Sequence, residues 1–167
     1  MTEPRLALLR DLAPILDLVA ALPLAECRDH DAAASLAARL QASLPAEGPV
    51  AAAVGAALRR GIHEGWLCDR GEPSARFSRV AKAGPDTRDL SIDVVALEGP
   101  ALRHGHPRGE VTLGFVVDPK ATGSRFDGHP PGWVVMPAGS AHVPTVTGPR
   151  MALLYFLPGG AVDWQPA

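Results

Sequence analysis

Three imidazoles and one carboxylate stand close together in the second half of the chain. His104, His106 and Glu110 lie within His104-Gly105-His106-Pro107-Arg108-Gly109-Glu110, and His142 follows Pro137-Ala138-Gly139-Ser140-Ala141. This donor set suits a divalent transition metal such as Fe, Mn, Ni, Cu or Zn. The spacing implies how such an ion would be held. His104 and His106 are two residues apart, so on a β-strand both side chains leave the same face. Pro107 and Gly109 turn the chain, and Glu110 opens the next apolar run. His142 comes after a second Pro-x-Gly turn and must arrive from a distant strand. Four donors on separate strands, all facing inward, describe a metal inside a small β-barrel. The competing readings are a structural metal site and a histidine cluster hydrogen-bonded without metal.

The elements that must position these donors are legible from periodicity. At 167 residues, 47% hydrophobic and 20% charged, the chain is one domain, or one domain with a helical appendage, and can bury a real core. Its character changes near residue 65. Before it, Leu6, Leu9, Leu12, Ile15, Leu16, Val19 and Leu22 recur at helical spacing, with Pro14 expected to start a second helix or kink the first. Asp29 or Asp31 can cap a helix carrying Leu36, Leu40 and Leu44. A third helix is expected from about Val50 to His63. After residue 65 the period moves towards two. Strands are expected at Ala75–Ala81, Leu90–Leu97, Val111–Val117, Trp133–Met136, Ala141–Val146 and Met151–Leu157, with Gly/Pro turns between them. The chain thus divides into an N-terminal helical segment, 1–64, packing on the barrel or a second subunit, and a β-barrel, 65–167.

Composition excludes several classes. A net charge of −2, a pI near 6.3 and no basic stripe interleaved with aromatics argue against nucleic acid. No apolar stretch reaches the ~18 residues needed to span a bilayer. The N-terminal residues lack the basic region and cleavage site of a signal peptide, so the cytoplasm is the expected location. Cys27 and Cys68 form no CxxC or disulfide framework and read as reduced structural thiols.

The stretch from Gly99 to Val146 resembles the two conserved motifs of the cupin superfamily. The first is carried by Gly99, His104-Gly105-His106 and Glu110. The second is carried by Gly132, Pro137-Ala138-Gly139 and His142. Departures are confined to non-ligand positions: the spacer after Gly99 is one residue short, and Val117 and Val146 stand where a Gly and an Asn often close the motifs. The resemblance implies a mainly β fold, a small cupin-type jelly-roll barrel preceded by the helical segment.

More narrowly, residues 65–160 resemble bacterial 4-hydroxylaminobenzoate lyases. The match lies in Gly65-Trp66-Leu67-Cys68, Arg76-Phe77-Ser78-Arg79, the His104–Pro107 motif, Phe126-Asp127-Gly128-His129-Pro130-Pro131-Gly132-Trp133 and Tyr155-Phe156-Leu157-Pro158-Gly159-Gly160. The resemblance implies a metal-assisted lyase that releases ammonia from a small aromatic carboxylate. The substrate's carboxylate would need a cation, and arginine matches its two oxygens with parallel hydrogen bonds. Arg76 and Arg79 differ in strand parity, so at most one faces inward, and Arg79 is the favoured one. Trp133 is a candidate apolar wall or a core residue. His129 and Tyr155 are candidate proton carriers or structural residues. Asp127-Gly128 marks a turn. His30 and His63 have no assigned role. Helices flanking a small barrel, with strand edges to cover, make a homodimer the expected assembly. Other metal-dependent cupin enzymes, a dioxygenase or an isomerase, remain open, as does a ligand-sensing cupin.

Overall fold

The computed structural model describes residues 2–165. Helix α1 spans Glu3–Ala20, α2 His30–Ser43 and α3 Pro49–Glu64. Asp29 caps α2, its side chain accepting from the Ala32 N–H at 2.8 Å. Helix α3 starts on Pro49 and stops at Gly65, whose φ of 79° supplies the left-handed cap. Helix α1 runs unbroken through Pro14, so no second helix starts there. The reason is position. Pro14 and Arg10 lie on the solvent face, where water can satisfy the freed Arg10 carbonyl, while Leu12, Ile15, Leu16 and Val19 continue one buried stripe.

The strands are β1 (Arg70–Glu72), β2 (Ala75–Ala81), β3 (Leu90–Pro100), β4 (His104–His106), β5 (Glu110–Val116), β6 (Arg125–Phe126), β7 (Gly132–Met136), β8 (Ser140–His142) and β9 (Thr145–Pro158). A seven-stranded antiparallel sheet has the order β1-β2-β3-β9-β5-β7, with β6 added against β9; β4 and β8 make a separate two-stranded sheet. The strand expected at Ala141–Val146 is split at Val143-Pro144, between β8 and β9. Strand β9 then continues through Gly148-Pro149. Its residues 147–150 have no partner on β3, because the register passes from Leu97↔Met151 directly to Gly99↔Val146. Gly148 has φ 77°, and a Cβ there would meet the Gly123 carbonyl oxygen at 2.8 Å. Glycine is therefore required where the strand bends.

Alternation along the strands separates two cores. Ile92, Val94, Ala96, Val111, Leu113, Leu154 and Phe156 pack against Leu12, Leu36, Leu40, Val54 and Leu58 of the helices. Helical and strand segments thus share one hydrophobic cluster. The approach is close: a Cβ on Gly55 of α3 would lie 2.7 Å from the Phe115 ring. On the other face, Leu97, Phe126, Val134, Met136, Val146, Met151, Leu153 and Tyr155 form a smaller cluster inside the β fold. Among the described residues, no helix is long and apolar enough to cross a membrane. Cys27 and Cys68 are both buried and free, and burial pushes the Cys68 thiol up to about 11.

Candidate metal centre

The two-stranded sheet sets three of the four donors. His104 pairs directly with His142, and His106 with Ser140. Gly109, with φ 81°, then turns the chain so that Glu110 starts β5. One ligand atom from each of His104, His106, Glu110 and His142 lies within 4.8 Å of all the others. His106 Nε2 is 2.9 Å from His142 Nε2 and 3.4 Å from a Glu110 oxygen. These are separations of neighbouring donors around one divalent ion at bond lengths of about 2.0–2.2 Å.

Hydrogen bonds on the outer side aim the rings inward. His104 Nδ1 donates to the Leu102 carbonyl at 3.0 Å. His142 Nδ1 donates to Asp127 Oδ2 at 2.6 Å, and Asp127 Oδ1 accepts from the Thr145 N–H at 2.8 Å. Placing both protons on Nδ1 leaves each Nε2 lone pair facing the centre. Glu110 accepts from the Thr112 hydroxyl at 2.9 Å.

The electrostatics fit a cation. Burial, reinforced by His104 and His142, pushes His106 down to about 3. Burial also lowers His104. Burial pushes Glu110 up to about 8, with the Asp127 and Asp93 charges adding to it against the Thr112 hydrogen bond. An Nε2–H on His106 can satisfy either His142 Nε2 or Glu110, not both. A divalent ion satisfies every inward-facing donor and supplies the charge that a buried carboxylate lacks. The residues fit a metal.

A cavity of about 680 Å³ reaches this centre and is lined by His104 and Glu110 together with Phe77, Arg79, Asp93 and Tyr155. Strand register explains how they meet. Arg79 pairs with Asp93, Asp93 with Tyr155, and Tyr155 with Thr112. One inward row therefore crosses four strands and ends beside the Thr112–Glu110 hydrogen bond. Arg79 Nε donates to Asp93 Oδ1 at 2.8 Å, and the Ser91 hydroxyl donates to Asp93 Oδ2 at 3.0 Å. Tyr155 is buried, and desolvation holds its phenol well above the ordinary value, so the hydroxyl stays protonated.

Three nominated residues lie elsewhere. Arg76 is on the opposite face of β2, its Nε donating to the Cys68 carbonyl at 2.8 Å, so it does not line the cavity. Trp133 sits in the helix-side core and donates from Nε1 to the Leu44 carbonyl at 2.9 Å. It is a packing residue rather than a cavity wall. His129 is exposed in the turn after β6, its backbone paired with Phe126, and is not brought to the donors.

Asp127 shows the opposite error. The sequence marks it as a turn residue, and it has a turn conformation, with φ 47°. That same conformation delivers its carboxylate to His142. Asp93, which ties Arg79, was also missed, although it left a usable signal, a charge in the middle of the apolar run Leu90–Leu97. Trp164, which also lines the cavity beside His104, left none, being a lone aromatic beyond the last strand.

Antiparallel sheets that carry His-x-His, a glutamate opening the next strand and a histidine after Pro-x-Gly define a cupin. The family model described as "PnbB: 4-hydroxylaminobenzoate lyase" matches residues 19–164, and the chain belongs to that enzyme family. No curated protein sequence matches the chain. Among solved structures, an RmlC-like cupin protein from Ralstonia eutropha JMP134 is 18% identical with a TM-score of 0.39, aligning 53% of this chain with 58% of that one. KdgF from Halomonas sp. is 21% identical with a TM-score of 0.28, over 53% of this chain and 84% of that one. A recombinant oxalate oxidase in complex with glycolate is 16% identical with a TM-score of 0.33, over 59% and 60%. The chain therefore spans less than two thirds of the first and third of these. The family assignment rests on the matched model and the site, not on these three alignments.

Proposed function

We propose that the protein is a metal-assisted lyase converting 4-hydroxylaminobenzoate and water into 3,4-dihydroxybenzoate and ammonia, a step in the degradation of nitroaromatic acids. The observation that carries this reading is the family match over 19–164, a span that contains all four metal donors, Arg79 and Tyr155. The atoms balance without an external oxidant, so neither O₂ nor a nicotinamide is consumed. A divalent ion held by His104, His106, Glu110 and His142 would supply Lewis acidity at the reacting oxygen.

The chain's own groups divide the remaining work. Arg79, with Nε tied to Asp93, presents its two terminal nitrogens to the substrate carboxylate. Tyr155 donates a hydrogen bond from its hydroxyl to the hydroxylamino group and can pass the proton that the departing nitrogen needs. Val95 and Leu97, further along β3, also line the cavity and keep the ring out of water.

The test is an anaerobic incubation of metal-loaded protein with 4-hydroxylaminobenzoate. Equal amounts of 3,4-dihydroxybenzoate and ammonia are expected. Absence of both products from fully loaded protein overturns the reading and moves an oxygen-consuming cupin chemistry into its place.

A further inference from the structure

Beyond β9 the chain turns back through Gly159 and Gly160, at φ 60° and 67°, and crosses to the ligand-bearing strand β4. There Asp163 makes two backbone hydrogen bonds with Gly105, N–H to carbonyl at 2.9 Å and the reverse at 2.6 Å. The Asp163 side chain accepts from the Gln165 N–H at 2.9 Å. Gly105 lies between the ligands His104 and His106, so this segment is clamped onto the metal centre itself. It carries Trp164, whose ring centroid is 5.2 Å from that of His104 at a tilt of 53°.

Trp164 is 64% exposed, a costly state for the largest apolar side chain. It is one of the residues that line the cavity. Six large apolar side chains are exposed among the described residues, and three of them, Phe77, Leu102 and Trp164, line this one cavity. Exposed apolar surface gathered at the opening of a site, beside a metal ligand, marks a place that a ligand covers.

We propose that residues 159–165 form a strap that holds Trp164 as the stacking wall for the aromatic ring of the substrate, making it the residue that selects aromatic over aliphatic acids. This inference rests on the reading of the substrate as an aromatic acid. An indole face beside His104 puts a planar ring within stacking range while its reacting substituent points to the four donors. Trp133 cannot fill this role, because its indole packs on the helix side of the sheet.

The experiment is calorimetric titration of metal-loaded protein with 4-hydroxybenzoate and with 4-hydroxycyclohexanecarboxylate, two unreactive acids with the same substituents that differ in ring character. The wild-type protein is expected to prefer the aromatic acid. Trp164→Ala is expected to weaken 4-hydroxybenzoate binding about three- to tenfold while leaving 4-hydroxycyclohexanecarboxylate nearly unchanged. Trp164→Phe should restore most of the preference. In turnover, Trp164→Ala should raise KM by the same factor with kcat nearly constant. If Trp164→Ala weakens both acids equally, or neither, the stacking role is wrong while the substrate reading stands. If the wild-type protein shows no preference for the aromatic acid, the substrate reading falls and takes the stacking role with it.

Discussion

The two faces of the same sheet are built for different work, although their residues alternate along the same strands. The helix-facing side presents Ile92, Val94, Ala96, Leu113, Leu154 and Phe156, a largely apolar surface sealed by α1, α2 and α3 and interrupted on β2 by Arg76 and Ser78, which hydrogen-bond the Cys68 backbone. The cavity-facing side interleaves Leu97, Met151 and Leu153 with Arg79, Asp93, Glu110, Thr112 and Tyr155. The first face obtains its stability from area removed from water. The second gives some of that up to hold ionisable groups at fixed separations. A displacement of one residue in register would exchange the two, placing Arg79 and Glu110 in the apolar layer. The site therefore depends on a register that the helix-side core enforces.

The largest effect should come from the cavity face. His106→Ala removes the central donor and is expected to abolish both metal content and turnover, while the helix-side core still folds. Metal analysis and a thermal melt separate the two, and turnover that persists in metal-free variant protein would disprove metal assistance.

Metal-stripped protein should next reveal the cost of burying these groups. Glu110 is held at about 8 against an ordinary 4.5, so the folded state carries the extra proton between those values. Its contribution to stability is complete below pH 4.5 and is lost as pH rises through 8. His106, held at about 3 against an ordinary 6.5, acts in the opposite sense, its contribution being lost as pH falls below 6.5. Above pH 6.5 only the Glu110 slope remains. The Tm of stripped protein should therefore fall from pH 6.5 towards 8, and Glu110→Gln should flatten the fall.

On the helix face, Leu154→Ala should cost about 2–5 kcal/mol in chemical denaturation, because a fully buried side chain leaves a cavity, while metal affinity per folded molecule is unchanged. Asp127→Asn is the matching cavity-side test. Asn accepts the positive φ, so the turn survives, but His142 loses its charged partner. Metal affinity should fall about 10- to 100-fold, with little change in Tm of the stripped protein. The smallest and sharpest contrast is between neighbours on β2. Arg79→Ala should raise KM for carboxylated substrates roughly tenfold without altering kcat much, as expected for a lost charged hydrogen bond. Arg76→Ala should leave KM alone and reduce stability by about 1 kcal/mol through the lost bond to the Cys68 carbonyl. If Arg76→Ala raised KM instead, the assignment of faces would be reversed.

How much of this was legible beforehand followed from how far each signal reaches along the chain. Helices α2 and α3 announce themselves locally, by Asp29, Pro49 and Gly65 at their ends and by apolar stripes between. The parity of Arg76 and Arg79 is also local, since strand β2 alternates. Trp133 was not decidable in this way, because Gly132–Met136 is buried on both faces and such a strand has no polar residue to mark a side.

The sequence by itself determined the donor types, their pairing as His-x-His and Glu on one turn, the switch from helices to strands near residue 65, and the family. These are set by composition and spacing over a few residues. Only the tertiary structure decided that Asp127 grips His142, that Asp93 ties Arg79, that His129 stays outside, and that the strap carrying Trp164 crosses back to Gly105. Each of these joins side chains or backbone groups whose separation in space depends on the path of the whole sheet. The chain records the chemistry of such partners, but their meeting is fixed by packing against everything else.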